Sequence, residues 1–237
     1  IANAKEDLTQ VNSLADLKTK VQTDEDIWKP YSNKNATKKN FLMTANSGWT
    51  VSNEPIQTIE SNLTRAAAKI VVNLKINVEG YEVVGEPTWQ LLNYNTQTTL
   101  FGPNTAQNIA SMSETETMAK TTDGYQLVTY SYATSWENNA SAPQAKIKVK
   151  LEKDGETPVD YYYSIPVRDP KATKSLDRNY VYTAKATVTS LGSSSDITYG
   201  DAMDLVYDVQ KWTKGEETTI NAGEQKYLLV SPTFMIM

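Results

Sequence analysis

Clusters of carboxylates are the first residues that could do chemistry. The chain has no Cys and no His, which excludes thiol nucleophiles, Ser-His-Asp triads, disulfides and the commonest zinc sites. Asp24-Glu25-Asp26 and the trio Asp196, Asp201 and Asp204 have the oxygen ligands that calcium takes, but no EF-hand spacing is present. Glycosidase chemistry needs a pair of carboxylates, and nothing in the sequence singles out such a pair. We therefore predict solvated loops here, and no enzyme activity, catalytic residue, cofactor or metal.

Aromatic side chains offer a second chemistry, because they can stack on sugar rings. The candidates are Trp28, Trp49, Trp89, Trp136, Trp212 and the run Tyr161-Tyr162-Tyr163. Aromatic residues are also preferred in strands and in cores, and we favour that interpretation. Adjacent side chains of a strand face opposite sides, so the three tyrosines of the run cannot form one platform.

The overall composition is that of a polar chain of one large or two ordinary domains. It has 237 residues, a mean hydropathy of -0.51 and a formal charge of -5. No apolar run approaches the roughly 18 residues of a membrane helix, so we predict no membrane insertion. The mild negative charge argues against a nucleic-acid partner, which would require a basic stripe.

The first regular element is a short amphipathic helix. Apolar residues recur at spacings of three and four at Leu8, Val11, Leu14, Leu17 and Val21. That spacing places them on one face of a helix. Ser13 followed by Asp16 resembles an N-terminal cap, so we expect the helix from about Ser13 to Gln22.

Strand patterns dominate the rest of the chain. In Leu63–Val78 apolar and polar residues alternate, which is typical of a strand in a sheet with one solvent-exposed face. Further strands are expected at Phe41–Met43, Tyr81–Val84, Thr88–Leu92, Tyr125–Ala133, Lys146–Leu151, Tyr161–Val167, Tyr180–Leu191 and Leu205–Trp212, with a hairpin turn at Asp154-Gly155. Several short strands separated by turn signals predict an all-β sandwich.

The stretch between Gly102 and Gly124 is rich in Thr, Ser and Asn and lacks a strand pattern. We place a domain boundary there, giving an N-terminal domain of residues 1–105 and a C-terminal domain of residues 106–237. A short helix near Ala106–Met112 is compatible with the sequence. Arg65 and Arg178 each stand beside a long strand, and we expect each of them to pair with a carboxylate.

The end of the given sequence, YLLVSPTFMIM, is apolar, uncharged and rich in strand formers. It must be buried, either in its own sheet or in another molecule. Pro232 cannot donate a ladder hydrogen bond, so it divides the segment. Tyr227–Ser231 would then lie in a sheet of their own subunit, and Thr233–Met237 would lie in a sheet of a partner subunit. The predicted polymerisation strand comprises Tyr227, Leu228, Leu229, Val230, Thr233, Phe234, Met235, Ile236 and Met237.

Five motifs in this order resemble the fimbrillins of Bacteroidales, the subunits of type V pili. They are LTRAAAKIVVNLKI (Leu63–Ile76), WQLLNYN (Trp89–Asn95), DRNYVYTAKATVTSLG (Asp177–Gly192), DVQKWT (Asp208–Thr213) and the terminal YLLVSPTFMIM. Each motif alone is a strand pattern with few fixed residues. The ordered set covers most of residues 41–237.

The resemblance implies two transthyretin-like Greek-key β-sandwich domains made from a lipoprotein precursor. In such a family a protease cuts after a basic residue, removes an N-terminal strand and opens a groove that a strand of the next subunit fills. The implied function is a structural subunit of an extracellular, cell-surface fimbria anchored at the outer membrane and supporting adhesion. The implied partners are copies of the chain, related fimbrial subunits, and a host protein or glycan receptor.

One departure from the family pattern concerns the N-terminal domain. In fimbrillins further strands would precede the helix at Ser13, and they are absent from this sequence, so we expect an incomplete first domain. The alternative function is a fimbrial tip adhesin or a surface glycan-binding module of the same fold.

Overall fold

The chain folds almost entirely into β-strands in the computed structural model, which describes residues 1–29, 40–45, 62–102, 104–170, 174–195 and 203–212. The elements are α1 (Leu14–Thr19), β1 (Val21–Thr23), β2 (Met43–Thr44), β3 (Thr64–Arg65), β4 (Ala67–Ile76), β5 (Tyr81–Val83), β6 (Thr88–Leu92), β7 (Tyr94–Asn95), β8 (Gln97–Thr99), β9 (Ile109–Ala110), β10 (Glu116–Thr117), β11 (Ala119–Thr121), β12 (Gly124–Tyr132), β13 (Thr134–Ser135), a 3₁₀ turn (Asn139–Ser141), β14 (Gln144–Lys153), β15 (Val159–Pro166), β16 (Ser175–Leu176), β17 (Tyr180–Val188) and β18 (Met203–Lys211). The predicted all-β class and the short N-terminal helix are confirmed.

A seven-stranded sheet, the large sheet, is built around β4. Its order is β18-β17-β4-β12-β7-β9, and β11 pairs with β12 off this path. β4 runs antiparallel to β12 but parallel to β17. The alternation predicted for β4 is confirmed, because Ile70, Val72 and Leu74 are buried while Lys69 and Asn73 on the other face are only partly buried.

A five-stranded sheet, the small sheet, has the order β10-β6-β14-β15, and β5 also pairs with β14. The hairpin predicted at Asp154-Gly155 joins β14 to β15. Gly155 has a φ of 77° there, a left-handed conformation that glycine adopts without steric cost. Alternate residues of β14, namely Ala145, Ile147 and Val149, are fully buried.

The two sheets pack face to face around one hydrophobic core. The segment before β2 contributes Trp28, which lies between the sheets. Its ring meets that of Trp89 in the small sheet edge to face, with 6.4 Å between centroids. Its carbonyl accepts a hydrogen bond of 2.6 Å from the Thr129 hydroxyl in the large sheet. Trp28 therefore links both layers of the sandwich.

α1 is shorter than predicted. Ser13 caps it as expected, since its hydroxyl accepts a hydrogen bond from the Asp16 amide at 3.0 Å. The helix ends at Thr19, because Val21 begins β1 and pairs with Thr99 of β8. None of the residues of α1 is buried, so the strand pairing overrides a helical pattern that has little surface to cover.

The helix compatible with Ala106–Met112 does not form. Ile109 and Ala110 make the short strand β9 against β7 instead. Asn95 holds this connection, because its side-chain oxygen accepts a hydrogen bond from the Asn108 amide at 2.8 Å and its amide group donates to the Ala106 carbonyl at 3.0 Å. These side-chain bonds replace those that a helix would have formed internally.

Strand pairing crosses the predicted domain boundary at residue 105. In the large sheet, β4 lies between β12 and β17, and in the small sheet β6 pairs with β14. The large sheet and the small sheet thus each combine strands from residues 1–105 with strands from residues 106–237. The Thr/Ser/Asn-rich stretch contributes β9, β10 and β11 to these two sheets, and the division into two domains stays a prediction.

Buried tyrosines make the fold sensitive to alkaline pH. Burial raises the pKa of Tyr182 to about 12, and it also raises the pKa of Tyr132. Tyrosines of the unfolded chain ionise near pH ~10, so above that pH the folded chain holds more protons and stability falls as pH rises. We expect an unfolding transition between about pH 10 and 12, followed by far-UV circular dichroism and tyrosinate absorbance. Full tyrosinate absorbance near pH ~10 with an unchanged dichroism spectrum would contradict the expected link between tyrosine ionisation and unfolding.

Candidate assembly edge

The residues of the predicted polymerisation strand, Tyr227–Val230 and Thr233–Met237, lie outside the described residues. Their placement stays a prediction. The structure bears instead on the surface that could receive an added strand. That surface is an edge of a sheet with unpaired backbone groups above apolar side chains.

β18 is such an edge. Among the described residues it pairs with one strand, β17, over its full length. The Trp212 amide donates to the Asn179 carbonyl at 2.7 Å, which fixes the phase of the ladder. Because backbone groups alternate in direction along a strand, Asp208 and Gln210 bond to β17, whereas the amides and carbonyls of Leu205, Tyr207 and Val209 point away from the sheet.

The side chains at these outward-bonding positions face the core. Leu205, Tyr207 and Val209 are each half-buried and pack against the core cluster. The Tyr207 hydroxyl donates to the Pro166 carbonyl at 2.9 Å, which ties β18 to the end of β15 in the small sheet. Burial raises the pKa of Tyr207, and the Arg168 guanidinium lies 6.0 Å from its ring centre.

The opposite face of β18 is exposed. Val206 has 62% of its surface accessible, the highest value among the exposed large hydrophobic residues described. It is flanked by Asp204 and Asp208, which are exposed as well. β18 therefore has one solvent-exposed face, which carries two aspartates and Val206, and one apolar face that is only partly covered by the described residues.

An aromatic cluster holds the chain where it leaves β18. The rings of Trp212 and Tyr130 are stacked at 5.8 Å, and Phe41 packs on both, at 5.3 and 4.7 Å. The Arg65 guanidinium lies 4.5 Å from the Trp212 ring centre and its Nη1 donates to Asn179 Oδ1 at 3.4 Å. Arg65 thus makes a cation–π contact instead of the predicted pairing with a carboxylate.

Arg178 also differs from the expectation. Its Nη1 donates to the Gly102 carbonyl at 2.7 Å, and its Nε and Nη2 are buried without a hydrogen-bond partner among the described residues. Burial lowers the pKa of this guanidinium. The pairing with a carboxylate that the sequence suggested is therefore not seen for either arginine in the described part of the chain.

β15, which ends the small sheet, differs from β18. The Tyr162 amide donates to the Ser193 carbonyl at 2.9 Å, so residues after β17 cover part of this edge. Gly192 allows the approach, because a Cβ atom there would lie 2.5 Å from the Tyr162 carbonyl oxygen. Of the two long edge strands, β18 is therefore the less covered in the described structure.

The carboxylates singled out from the sequence do not assemble into a site. Asp24 is buried rather than solvated and forms an ion pair of 2.8 Å with Lys5. Its Oδ1 also accepts a hydrogen bond from the Asp26 amide at 3.2 Å, and these contacts order the turn before Trp28. Within the described ranges, no group of three acidic side chains could hold a metal ion. Asp196 and Asp201 lie outside them.

The aromatic candidates are mostly in the core. Trp28, Trp89 and Trp136 are buried, and Trp212 belongs to the aromatic cluster. Trp49 is outside the described residues. In the tyrosine run, Tyr163 is buried while Tyr162 faces the opposite side of the sheet, so the alternation predicted there is confirmed.

None of the helices described is long and apolar enough to cross a membrane. No protein-family model matches the sequence, and no curated protein is detectably similar to it. Solved structures do match. A fimbrillin from Porphyromonas gingivalis W83 aligns with 86% of this chain and 76% of its own, at 14% identity and a TM-score of 0.60. The chain has a fimbrillin fold.

A second structure of this fold agrees. A candidate cell adhesion protein from Bacteroides eggerthii DSM 20697 aligns with 87% of this chain and 75% of its own, at 13% identity and a TM-score of 0.57. The resemblance to fimbrillins that the motifs indicated is thereby confirmed at the level of the fold. At such low identity the fimbrillin fold is shared while few side chains are, which explains why each motif alone is weak.

Proposed function

We propose that the protein is a structural subunit of a cell-surface fimbria that polymerises by strand exchange between subunits. The observation that carries this proposal is β18, a nine-residue strand that lies at the edge of the large sheet among the described residues. Its alternate apolar side chains are half-buried, and the backbone groups at those positions point away from β17. The fimbrillin fold supports it. The protein would act extracellularly, on a fimbria anchored at the outer membrane, and it would have no catalytic step.

In the proposed contact, Thr233–Met237 of one subunit adds to β18 of the next. Main-chain hydrogen bonds would form to the groups of Leu205, Tyr207 and Val209 that point away from β17. Side chains of the added strand alternate, so Phe234 and Ile236 share one face. Directed inward, these two would cover the exposed parts of the three β18 side chains. Tyr227–Val230 would remain in the sheet of the donor subunit.

The size of such a contact is sufficient for a durable fibre. An added strand with apolar side chains buries several hundred Å² of apolar surface, and at about 25 cal/mol per Å² this contributes on the order of 10 kcal/mol before entropy costs. The donor and acceptor surfaces are different parts of the subunit. The contact is therefore head-to-tail and does not close, which generates a filament of identical or related subunits.

Deleting Thr233–Met237 tests this function. We expect the truncated chain to fold and to form no fibres in electron micrographs, because the donor strand is gone while β18 is intact. A matched control exchanges Phe234→Leu and Ile236→Leu, which keeps an apolar donor and should retain fibres. Fibres of normal length from the truncated chain would refute strand exchange through this segment. So would protection of its amides from hydrogen exchange in the monomer, since the segment would then fill its own sheet.

A further inference from the structure

We propose that the outer face of the small sheet binds one carboxylate-bearing sugar residue of a glycan, in a cavity between β6, β14 and β15. This site is separate from the assembly edge and does not depend on polymerisation. The cavity has a volume of about 180 Å³ and is lined by Thr88, Gln90, Thr115, Lys146, Lys148 and Tyr162, together with Trp89.

The strand register brings these side chains together. Thr88 of β6, Lys148 of β14 and Tyr162 of β15 are direct cross-strand neighbours, and Gln90 and Lys146 form the next row. Side chains in neighbouring rows of one face are within reach of a single ligand. Because the three strands are paired in this register, the cavity is a fixed feature of the sheet rather than a chance arrangement of loops.

The positive groups of the cavity suit a carboxylate. The Lys146 ammonium lies 5.4 Å from the centre of the Tyr162 ring, which holds the charge at the wall of the cavity. Lys148 forms an ion pair with Asp160 at 3.5 Å, and both side chains are more than a third exposed. Such an exposed pair contributes little stability, but Asp160 Oδ1 is buried without a hydrogen-bond partner among the described residues. Lys148 therefore neutralises Asp160, and Lys146 provides the positive charge for a ligand carboxylate.

The neutral groups suit a sugar ring. Tyr162 is only partly buried, unlike its neighbour Tyr163, and offers an aromatic surface on the solvent side of the sheet. Gln90 and Thr115 line the cavity with groups that pair with sugar hydroxyls.

The volume decides how much of a ligand is held. Sites for drug-sized ligands measure about 300–1,000 Å³, so a cavity of about 180 Å³ holds one residue of a longer saccharide. A single sugar contacted on an open face binds weakly. Repetition of the site along a fibre would raise the avidity without any new contact.

The test titrates the whole chain with methyl glucuronide, with neutral methyl glucoside, and with inorganic sulfate, by calorimetry. We expect the glucuronide to bind and the glucoside to bind at least about tenfold more weakly, since a charge-assisted hydrogen bond contributes about 1.5–3 kcal/mol. Lys146→Gln should weaken glucuronide binding by a similar factor. Lys185→Gln changes an exposed lysine on the other sheet and should leave it unchanged.

Tyr162→Ala distinguishes the contribution of stacking on the sugar ring from the contribution of the charge. It should weaken the glucuronide by a larger factor than sulfate, because the contact between the ring and Lys146 is lost for both ligands whereas stacking is lost for the sugar alone. Equal binding of the glucuronide by wild type and Lys146→Gln would overturn the proposal. Equal affinity for sulfate and glucuronide would also overturn it, since the cavity would then be an anion site without preference for a sugar. Circular dichroism of each variant shows that the sheet is intact.

Discussion

Replacing Val209 by proline is expected to abolish fibre growth while leaving the monomer folded. The Val209 amide points away from β17, so proline removes a donor that pairs with no described strand and that an added strand would use. Proline is tolerated where the missing N–H faces outward from an edge strand. We expect no fibres by electron microscopy and loss of less than about 2 kcal/mol from the free energy of unfolding.

Two controls define this result. Asp208→Pro removes an amide that bonds to β17, and it should destabilise the monomer by about 3 kcal/mol or more. Val209→Thr keeps the amide and should retain fibres. Fibres of normal length and stability from Val209→Pro would show that the added strand does not use β18. The placement of the acceptor edge would then fail, while the donor role of Thr233–Met237 would still be decided by the deletion.

Trp28→Ala is expected to lower the free energy of unfolding by about 3–5 kcal/mol, the range for loss of a buried large aromatic side chain. Trp28 is 6% exposed and fills the space between the two sheets, where it contacts the Trp89 ring. Its removal leaves a cavity that the paired strands on either side cannot close. Urea denaturation followed by circular dichroism measures the change.

The matched control for Trp28 is Val206→Ala, which truncates the most exposed of the large hydrophobic residues described. Its effect should stay within about 0.5 kcal/mol. A loss below about 1 kcal/mol for Trp28→Ala would contradict the role of this residue as a link between the sheets. It would mean that the segment before residue 30 packs on a sandwich that is already complete.

The strands of this fold could be predicted because their alternation is local information. The pattern of β4 identifies its core face from Ile70, Val72 and Leu74 without any knowledge of its neighbours. The neighbours themselves could not be predicted. β4 pairs in parallel with β17, more than 100 positions later, and no local signal specifies a pairing at that distance. The boundary at residue 105 rests on composition, and composition does not show which strands on its two sides pair with each other.

The candidate sites show the same division. The sequence predicts a strand from Leu205 to Trp212. Its place at an edge depends on which strands lie beside it. Asp204 and Asp208 are equally compatible with an internal strand that has one solvent-exposed face. For the tyrosine run, alternation predicted that Tyr162 and Tyr163 face opposite sides. It could not show which of them faces the lysines of β14, because that depends on register.

The position of β18 in the large sheet also affects when it can form during folding. β18 docks on β17, and β17 docks on β4, which is far away in sequence. Contacts between distant residues form slowly, because the entropy cost of closing a long loop comes before any stabilising contact is made. The apolar face of β18 is backed by the core only once β17 has docked on β4. We therefore expect the complete acceptor surface to form late in folding, which would limit premature joining of subunits.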